Sequence, residues 1–350
     1  MSLSAPLEPA YVVRAVRAED FDGFCQLREL AGAGFTSLMV DDEKMRARIE
    51  HGACSFAADA RRPGKERYLL ALEHIESRTL AGSAGVKASI GDDPPFFNFR
   101  ILKIAQASHA AERRFDMDVL ILVNEFTGWS EVGSLFLRAE HRAAGIGRAL
   151  AQARYMLMAA APHRFHEHVV SELRGVVSPD GASPFWEALG RYFFKMDFQA
   201  ADRLSATTDN QFILDLMPKY PIYVDLLPEA GRAVIGQCHA DGVGARRLLE
   251  WEGFRFENVV DIFDGGPLLS AARDSIRTRR EARVMTMIAD ATPQHAKPAL
   301  IATMEVSSFR CTAALAAAVS DREARVHPAT LTALGLESGE SALVWTDDAA

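Results

Sequence analysis

Apolar and polar positions follow two alternating periods along the chain, and their order predicts an α+β fold. The run "SEVGSLFLRA" alternates as a half-buried strand does, whereas residues 146–160 repeat apolar side chains at intervals of three and four, as one face of a helix does. Earlier strand-like runs such as "RYLLALEHI" and "LAGSAGVKASI" follow one another across a turn, which is typical of antiparallel hairpins. We therefore expect an α+β protein rather than an alternating doubly wound sheet.

The same pattern divides the chain into three regions. Residues 11–267 form the main region, 268–284 form an arginine-rich helical connector, and 285–350 form a small β-rich C-terminal module. Two stretches, "SPFWEALGRYFFKMDF" and "ARRLLEWEGFRFENVVDIF", are each predicted to contain a short helix, a glycine with aromatic residues after it, and a strand. Either the main region is duplicated, with halves 11–198 and 199–267, or these are unrelated units of a common type. We also expect a short strand at "VIGQCH".

Composition narrows the classes of partner. The chain has 350 residues, of which 49% are hydrophobic and 25% charged, and its net charge is −8; this is typical of a soluble globular protein and argues against a general nucleic-acid binder. No apolar run approaches the roughly 18–20 residues of a membrane span, and "MSLSAPLEPA" lacks the features of a secretory signal. Four scattered cysteines indicate reduced thiols. We therefore expect a cytoplasmic protein without a nucleic-acid or membrane partner.

Two clusters of side chains point to partners that we do not expect. His163, His166 and His168 lie close together, but no nearby cysteine completes a known metal-binding pattern. The segment "RDSIRTRREAR" is rich in arginine, but acidic residues interrupt it and no aromatic residues interleave. We interpret both as solvated surface and predict no metal site.

A glycine-containing loop joins the strand and the helix described above. Backbone N–H groups at a helix start have no helical partners and attract anions, and glycines let a phosphate approach them. The third glycine of a dinucleotide fingerprint is missing, since position 150 is Leu150, and a nucleotide P-loop would need lysine where Arg148 stands. The pattern R-x-x-G-x-G of Arg142, Gly145 and Gly147 is similar to the pyrophosphate-binding signature of GNAT N-acyltransferases; a tight turn without a ligand is the alternative. We expect local positive charge from Arg138, His141, Arg142 and Arg148.

Longer strings carry a more specific resemblance. The segments "SLFLRAEHR", "VVSELRGVVSPDGASPFWEALGRYFFKMDF", "LMPKYPIY", "VIGQCH" and "DIFDGGP" together resemble the arginine N-succinyltransferase family. The resemblance runs from about residue 11 to about 290 and is dense from 131 to 267. It implies a GNAT-like acyl-CoA N-acyltransferase core, and transfer of a succinyl group from succinyl-CoA to the α-amine of L-arginine in arginine catabolism.

The resemblance also assigns two site residues. The family's succinyl-CoA contact falls on Leu135 and its proton donor on His239. Gly133 inside the strand predicts a bulge, which would turn backbone N–H groups near Leu135 toward the thioester. A histidine with an ordinary pKa of about 6.5 can transfer protons near neutral pH. The alternative for His239 is a solvated or helix-capping loop histidine.

The substrates carry a guanidinium group and carboxylates, so the acceptor site needs acidic and basic side chains. Arg174 is a candidate carboxylate clamp, because arginine binds carboxylates bidentately. Glu172 and Asp264 are candidates for the guanidinium, and Glu131 for a base or a cation contact. For each of them the alternative is an ordinary surface charge or ion pair. The loop at 32–38 is a candidate acceptor contact, with a plain turn as the alternative.

We expect direct attack within a ternary complex, because no cysteine or serine lies in a recognisable nucleophile motif. Succinyl-CoA would be a co-substrate, with no permanently bound cofactor. Two alternatives remain open: the same chemistry with ornithine or another basic amine as acceptor, and a non-catalytic homologous subunit. The resemblance also implies an oligomer, formed by this chain alone or with a homologous subunit.

Overall fold

Strands and helices are mixed along the chain in the computed structural model, which describes residues 5–31, 38–143, 145–178, 180–207 and 210–347. Within these residues the strands are β1 (Tyr11–Ala15), β2 (Arg67–His74), β3 (Leu80–Lys87), β4 (Asn98–Ser108), β5 (Arg113–Val123), β6 (Ser130–Leu137), β7 (His168–Glu172), β8 (Ile222–Tyr223), β9 (Arg255–Asp261), β10 (Pro267–Ala272), β11 (Arg283–Ala289), β12 (Lys297–Ala302), β13 (Arg310–Ser320), β14 (Glu323–Val326) and β15 (Ser341–Thr346). The α-helices are α1 (Phe21–Ala31), α2 (Asp42–Ala57), α3 (Ile146–Ala160), α4 (Pro184–Ala188), α5 (Gly190–Phe194), α6 (Phe198–Thr207), α7 (Gln211–Leu216), α8 (Glu229–Arg232), α9 (Val243–Glu252), α10 (Arg277–Glu281) and α11 (Pro328–Leu334). The predicted α+β class is confirmed.

Two compact units divide these elements. The first unit contains Met1–Ser89, Ser130–Glu167 and Ala272–Ala350, and the second contains Ile90–Trp129 and His168–Ala271. These bounds follow neither of the predicted halves, and the duplication stays a prediction. The units are described separately below.

The sheet of the first unit is antiparallel where the sequence predicts hairpins. Strands β1, β2, β3 and β6 pair in that order. Helices α1 and α2 bury an apolar face against this sheet, where Phe24 and Ile49 pack with Leu80. Helix α2 begins after Asp41, whose carboxylate accepts a hydrogen bond from the Lys44 N–H at 2.8 Å. This cap satisfies one of the unpaired N–H groups of the first turn.

The C-terminal module is a closed five-stranded ring. Strand β12 pairs with both β13 and β15, β11 pairs with β15 and β14, and β14 pairs with β13. Its core contains Met287, Ile301, Val326 and Val344, and α11 adds Leu331 to it. Closure pairs the edges that an open sheet would expose. The predicted β-rich C-terminal module is confirmed.

The connector before this module is only partly helical, so the prediction for 268–284 is wrong in its first part. Pro267–Ala272 is strand β10, and the α-helix covers only Arg277–Glu281. Strand β10 pairs with β9. Sheet pairing there outweighs the helix propensity of its leucine and alanine residues, as tertiary context commonly does.

The second unit is built on the strand order β7-β10-β9-β4-β5-β8. One face of its sheet carries an aromatic core around Trp186, with Phe99 and Val260 among its members. The opposite face carries a smaller cluster that includes Val170 and Val259. The alternation along each strand therefore decides which of the two faces a polar side chain joins.

Two strand predictions in this unit are wrong. The segment "RYFFKMDF" forms α5 and leads into α6, where Phe194 and Phe198 lie 5.2 and 6.4 Å from the Trp186 ring between centroids. Lys195 ends α5 with a φ of 56°, and the turn there lets Phe194 at the end of α5 and Phe198 at the start of α6 both pack on Trp186. The segment "VIGQCH" is mostly a turn, and makes a single bridge between Cys238 and Gly175.

Candidate active site

Strand β6 contains the predicted bulge. Its register with β3 pairs Phe136 with Ser83 and Gly133 with Gly85, so Ser134 and Leu135 together face one residue of β3. Ser134 has a positive φ of 52°, which re-aims the backbone of this strand. Residues 133–135 are half-buried between buried neighbours. The backbone at Leu135 therefore leaves the regular ladder at the point where the strand becomes accessible.

The loop after β6 places its glycines at the start of α3. Gly145 precedes the helix with a φ of 89°, a conformation that favours glycine, and the helix begins at Ile146. The N–H groups of Gly147 and its neighbours in the first turn have no carbonyl four residues earlier within the helix. Arg142 is exposed, and its Nε donates to the Leu137 carbonyl at 3.2 Å. Arg142 thus lies against the strand end that leads into this loop.

Fewer side chains contribute exposed positive charge to the loop than the sequence suggests. Arg148 does not supply the exposed charge that the sequence suggests, because it is 4% exposed and forms an ion pair with Asp347 at 2.7 Å. Burial lowers the pKa of His141, whose Nδ1 lies 3.0 Å from the Tyr11 hydroxyl, so this ring is mainly neutral at pH 7. Arg138 donates to Gln26 and lies 3.8 Å from Glu140.

Arg142 is the one of these four side chains that is both charged and exposed. Among the described residues no carboxylate lies within ion-pair distance of it. An exposed guanidinium beside a helix start can bind an anion without giving up an ion pair. Phosphate binding at this loop therefore depends on Arg142 together with the backbone N–H groups of α3.

Glu131 has a charge partner in the first unit. Its carboxylate is 8% exposed and accepts a hydrogen bond from the Lys87 Nζ at 2.7 Å, across the β3–β6 pair. These contacts are those of an ion pair, which is the alternative that the sequence leaves open for Glu131. Its assignment as a base or cation contact stays a prediction, with its negative charge already balanced by Lys87.

His239 lies in the second unit, beside the end of β7. Its backbone N–H donates to the Arg174 carbonyl at 2.8 Å, and the neighbouring Cys238 bridges Gly175. The half-buried imidazole caps the short turn that follows, with Nδ1 accepting from the Asp241 N–H at 3.2 Å. Since Nδ1 is an acceptor, the neutral ring carries its proton on Nε2. Capping and proton donation are thus compatible, because they use different nitrogens.

The acidic candidates of the second unit separate into two kinds. Asp264 is 7% exposed, and its carboxylate accepts from the N–H groups of Gly175 and Gly266, each at 2.8 Å. These contacts brace the backbone around Gly175 and Gly266, and the assignment of Asp264 to the guanidinium stays a prediction. Burial raises the pKa of Asp264 well above its usual range, and the adjacent Asp261 raises it further.

Asp261, which the sequence reasoning overlooked, lies against Glu172. Burial raises the pKa of Asp261 well above its usual range, and the charge and hydrogen bond of Glu172 raise it further. Its Oδ1 accepts from the N–H groups of Phe263 and Asp264 at 2.7 and 2.8 Å. The signal was present in the first acidic residue of "DIFDGGP". Two half-buried carboxyl groups thus lie in hydrogen-bond contact.

Among the remaining candidates, Arg174 and His168 have identified neighbours, and the loop at 32–38 lies almost wholly outside the described residues. Arg174 is half-buried and lies near Asp202, whose pKa it lowers against the larger raising effect of burial. The loop at 32–38 lies outside the described residues except for Leu38. His168 stacks on Trp129 at 4.6 Å between ring centroids. Within the described ranges no group of three or more His, Cys, Asp or Glu side chains is arranged to hold a metal ion.

Comparison with known proteins decides the family. The family model described as arginine N-succinyltransferase beta subunit matches residues 11–278, and that of its C-terminal domain matches residues 280–346. The chain belongs to the arginine N-succinyltransferase family. An arginine N-succinyltransferase of Enterobacter sp. (strain 638) is 39% identical over 301 residues, covering 85% of this chain and 87% of that protein.

Further relatives of this family match over nearly the whole chain. The arginine N-succinyltransferase of Yersinia pestis (strain Pestoides F) is 36% identical, covering 94% of this chain and 95% of that protein. The solved structure of subunit AI of arginine/ornithine succinyltransferase from Pseudomonas aeruginosa matches with a TM-score of 0.86 and 30% identity, covering 97% of this chain and 99% of that one. The fold is therefore that of the arginine N-succinyltransferase family along nearly its full length. No helix within the described ranges is long and apolar enough to cross a bilayer.

Proposed function

We propose that the protein transfers the succinyl group of succinyl-CoA to the α-amine of L-arginine, yielding N2-succinylarginine and CoA, in arginine catabolism. Family membership from residue 11 to 346 carries this proposal, because the relatives named for the reaction match over most of both chains. The bulged strand, glycine loop and helix of the first unit supply the features that an acyl-CoA requires.

Arg142, Gly145 and Gly147 bind the pyrophosphate of succinyl-CoA in this proposal. The backbone N–H groups at the start of α3 face an anion with no helical partner to lose, and the helix dipole adds to the attraction. Arg142 supplies the exposed positive charge of the loop. The backbone near Leu135, which leaves the ladder at the bulge, holds the thioester and stabilises its oxygen as negative charge develops there.

His239 is the proton donor. The neutral α-amine of arginine attacks the thioester carbonyl carbon, a tetrahedral oxyanion forms, and its collapse breaks the C–S bond. The CoA thiolate leaves and takes the Nε2 proton of His239, which is the protonated nitrogen because Nδ1 accepts from Asp241. The nitrogen of the new amide releases its surplus proton, and this proton restores Nε2–H, so the histidine ends the reaction neutral. Attack is direct, without a succinyl-enzyme. Double-reciprocal plots of initial rate, with both substrates varied, should give intersecting lines. Parallel lines or an isolated succinyl-enzyme would contradict direct attack.

Thiol release tests the function, and a histidine variant tests the role of His239. The protein, succinyl-CoA and L-arginine should release free CoA, and mass spectrometry should find arginine carrying one succinyl group on its α-nitrogen. His239→Gln should lower kcat by about 100- to 10,000-fold, whereas His109→Gln, which alters an exposed turn of the same unit, should leave kcat unchanged.

The two results are separable. Absence of succinylarginine with the unchanged chain contradicts the function. Full activity of His239→Gln contradicts only the role of the histidine, and in a complex with a homologous partner it would favour a non-catalytic role for this chain.

The proposal extends to a second acceptor, to assembly and to location. The Pseudomonas aeruginosa structure is described as an arginine/ornithine succinyltransferase subunit, which favours ornithine as a second acceptor and an oligomer of one or two kinds of subunit. Light scattering of the purified protein tests the assembly. Four free cysteines favour a location in the reducing cytoplasm.

A further inference from the structure

We propose that Glu172, Asp261 and Asn98 form the site that binds the guanidinium group of the acceptor. This inference rests on the proposed function and names the part of the chain that selects arginine. All three residues lie in the second unit. The acidic pair alone would not define a site; Asn98 supplies an independent observation.

The three side chains lie on one face of the sheet. Glu172 follows Val170 on β7 by two residues, and Asp261 follows Val259 on β9 by two residues, so each shares the face of its valine. Both valines belong to one apolar cluster. Asn98 is the register partner of Asp261 across the β4–β9 pair, which places their Cβ atoms about 5 Å apart on that same face.

A glycine lies beside Asp261 at the start of the neighbouring strand. Strand β10 lies between β7 and β9 and begins at Pro267, so the position beside Asp261 is Gly266, whose carbonyl accepts the Asp261 N–H at 2.8 Å. A Cβ atom there would lie 2.2 Å from the Leu173 carbonyl oxygen, so another residue could not take this place without a backbone shift.

The side chain of Asn98 is buried and has no hydrogen-bond partner among the described residues. Its side chain is fully buried, and among the described residues neither its Oδ1 nor its Nδ2 has a partner. Such a group costs about 1–3 kcal/mol when it is left unsatisfied. The orphaned Oδ1 beside a pair of carboxyl groups therefore indicates a ligand that donates hydrogen bonds to all three side chains.

The chemistry of the cluster fits a guanidinium. This group is planar, always charged, and presents five N–H donors and no acceptor. Two carboxylates and the Asn98 Oδ1 present only acceptors to it, and its positive charge replaces the proton that the carboxyl pair otherwise shares. A neutral ureido group of the same shape, as in L-citrulline, brings no positive charge to the paired carboxylates.

Binding and kinetics of three variants test the site. Glu172→Gln and Asp261→Asn should each raise the KM for L-arginine by about 10- to 100-fold, the loss expected for one charged hydrogen bond, and leave the KM for succinyl-CoA unchanged. Both should also lose the preference for L-arginine over L-citrulline. Glu257→Gln is the matched control, because it makes the same change at an exposed position on the strand of Asp261.

Thermal unfolding separates recognition from a structural role. Without acyl donor, L-arginine should raise the Tm of the unchanged protein, L-citrulline should not, and Asp261→Asn should lose the arginine effect. The free Asp261→Asn protein should unfold at the parent Tm or above it, because the asparagine Oδ1 still accepts from Phe263 and Asp264 while its NH₂ donates to Glu172. Asn98→Leu should likewise raise the Tm of the free protein and weaken the arginine effect.

Each outcome decides the proposal. An arginine KM and Tm shift that survive both carboxyl substitutions overturn it, as does a fall in the Tm of free Asp261→Asn that accounts for the lost binding. If the unchanged protein binds arginine through these residues but forms no succinylarginine, the site stands and the proposed function fails. If it forms succinylarginine with kinetics that the variants do not alter, the function stands and the site fails.

Discussion

The ion pair between Arg148 and Asp347 provides the sharpest test of stability in the first unit. Asp347→Ala removes a carboxylate that is 5% exposed and lies 2.7 Å from a guanidinium that is itself 4% exposed. The variant leaves a buried positive charge without its partner, a change that costs about 3–5 kcal/mol in proteins. The Trp345 ring remains 5.1 Å from the guanidinium and keeps part of its stabilisation, so we expect a loss of about 3 kcal/mol.

Urea unfolding followed by circular dichroism and by fluorescence measures this loss. Asp59→Ala is the control, because it removes a carboxylate from an ion pair at 3.6 Å whose side chains are almost fully exposed, and such pairs contribute at most about 1 kcal/mol. The double variant Arg148→Met with Asp347→Leu should recover most of the loss, since it leaves no buried charge.

The same series decides whether Arg148 is structural. A loss below about 1 kcal/mol for Asp347→Ala, the value of an exposed pair, would refute the reasoning. If Arg148→Met instead raised the KM for succinyl-CoA without loss of stability, the arginine would be a phosphate contact after all.

Three further predictions follow from the loop and from the carboxyl pair. Arg142→Ala should raise the KM for succinyl-CoA by about 10-fold, as expected for one charged hydrogen bond, and Arg142→Lys should restore part of the affinity; an unchanged KM would remove Arg142 from the phosphate site. Gly145→Ala should cost about 1–2 kcal/mol in urea unfolding, because alanine is strained at the φ of 89°, and a neutral result would contradict that geometry. Because the pKa of Asp261 is raised, the folded protein holds a proton that the unfolded chain loses near pH 4, so stability should fall as pH rises through the raised pKa. In Asp261→Asn the free energy of unfolding should fall less with pH between about pH 4 and the raised pKa. If the variant and the parent show parallel pH profiles, Asp261 is not the group responsible.

Local patterns predict the first unit well, because its features depend on residues that are near in sequence. Gly133 in an alternating strand predicts the bulge, which the structure places at the next two residues. Arg142, Gly145 and Gly147 lie at a strand-to-helix junction, where the spacing of the motif places them.

Contacts between distant residues account for the features that local patterns miss. Arg148 carries the same charge as Arg142 in the sequence, but its partner Asp347 is 199 residues away and no local pattern reveals it. The contacts of Asp264 also depend on a distant residue, because the N–H group of Gly175, 89 residues earlier, donates a hydrogen bond to its carboxylate. Asn98 offered one signal, a polar residue within the apolar run "FFNFRI", whose meaning depends on its register with Asp261.

One thiol-release experiment measures the proposed succinyl transfer itself. It crosses two donors, succinyl-CoA and acetyl-CoA, with two acceptors, L-arginine and L-ornithine, and measures kcat/KM for each of the four pairs with the purified protein. We predict that succinyl-CoA with L-arginine is the best pair, and that its product carries the succinyl group on the α-nitrogen. Equal or greater rates with acetyl-CoA, or no CoA release with L-arginine, would contradict the assignment.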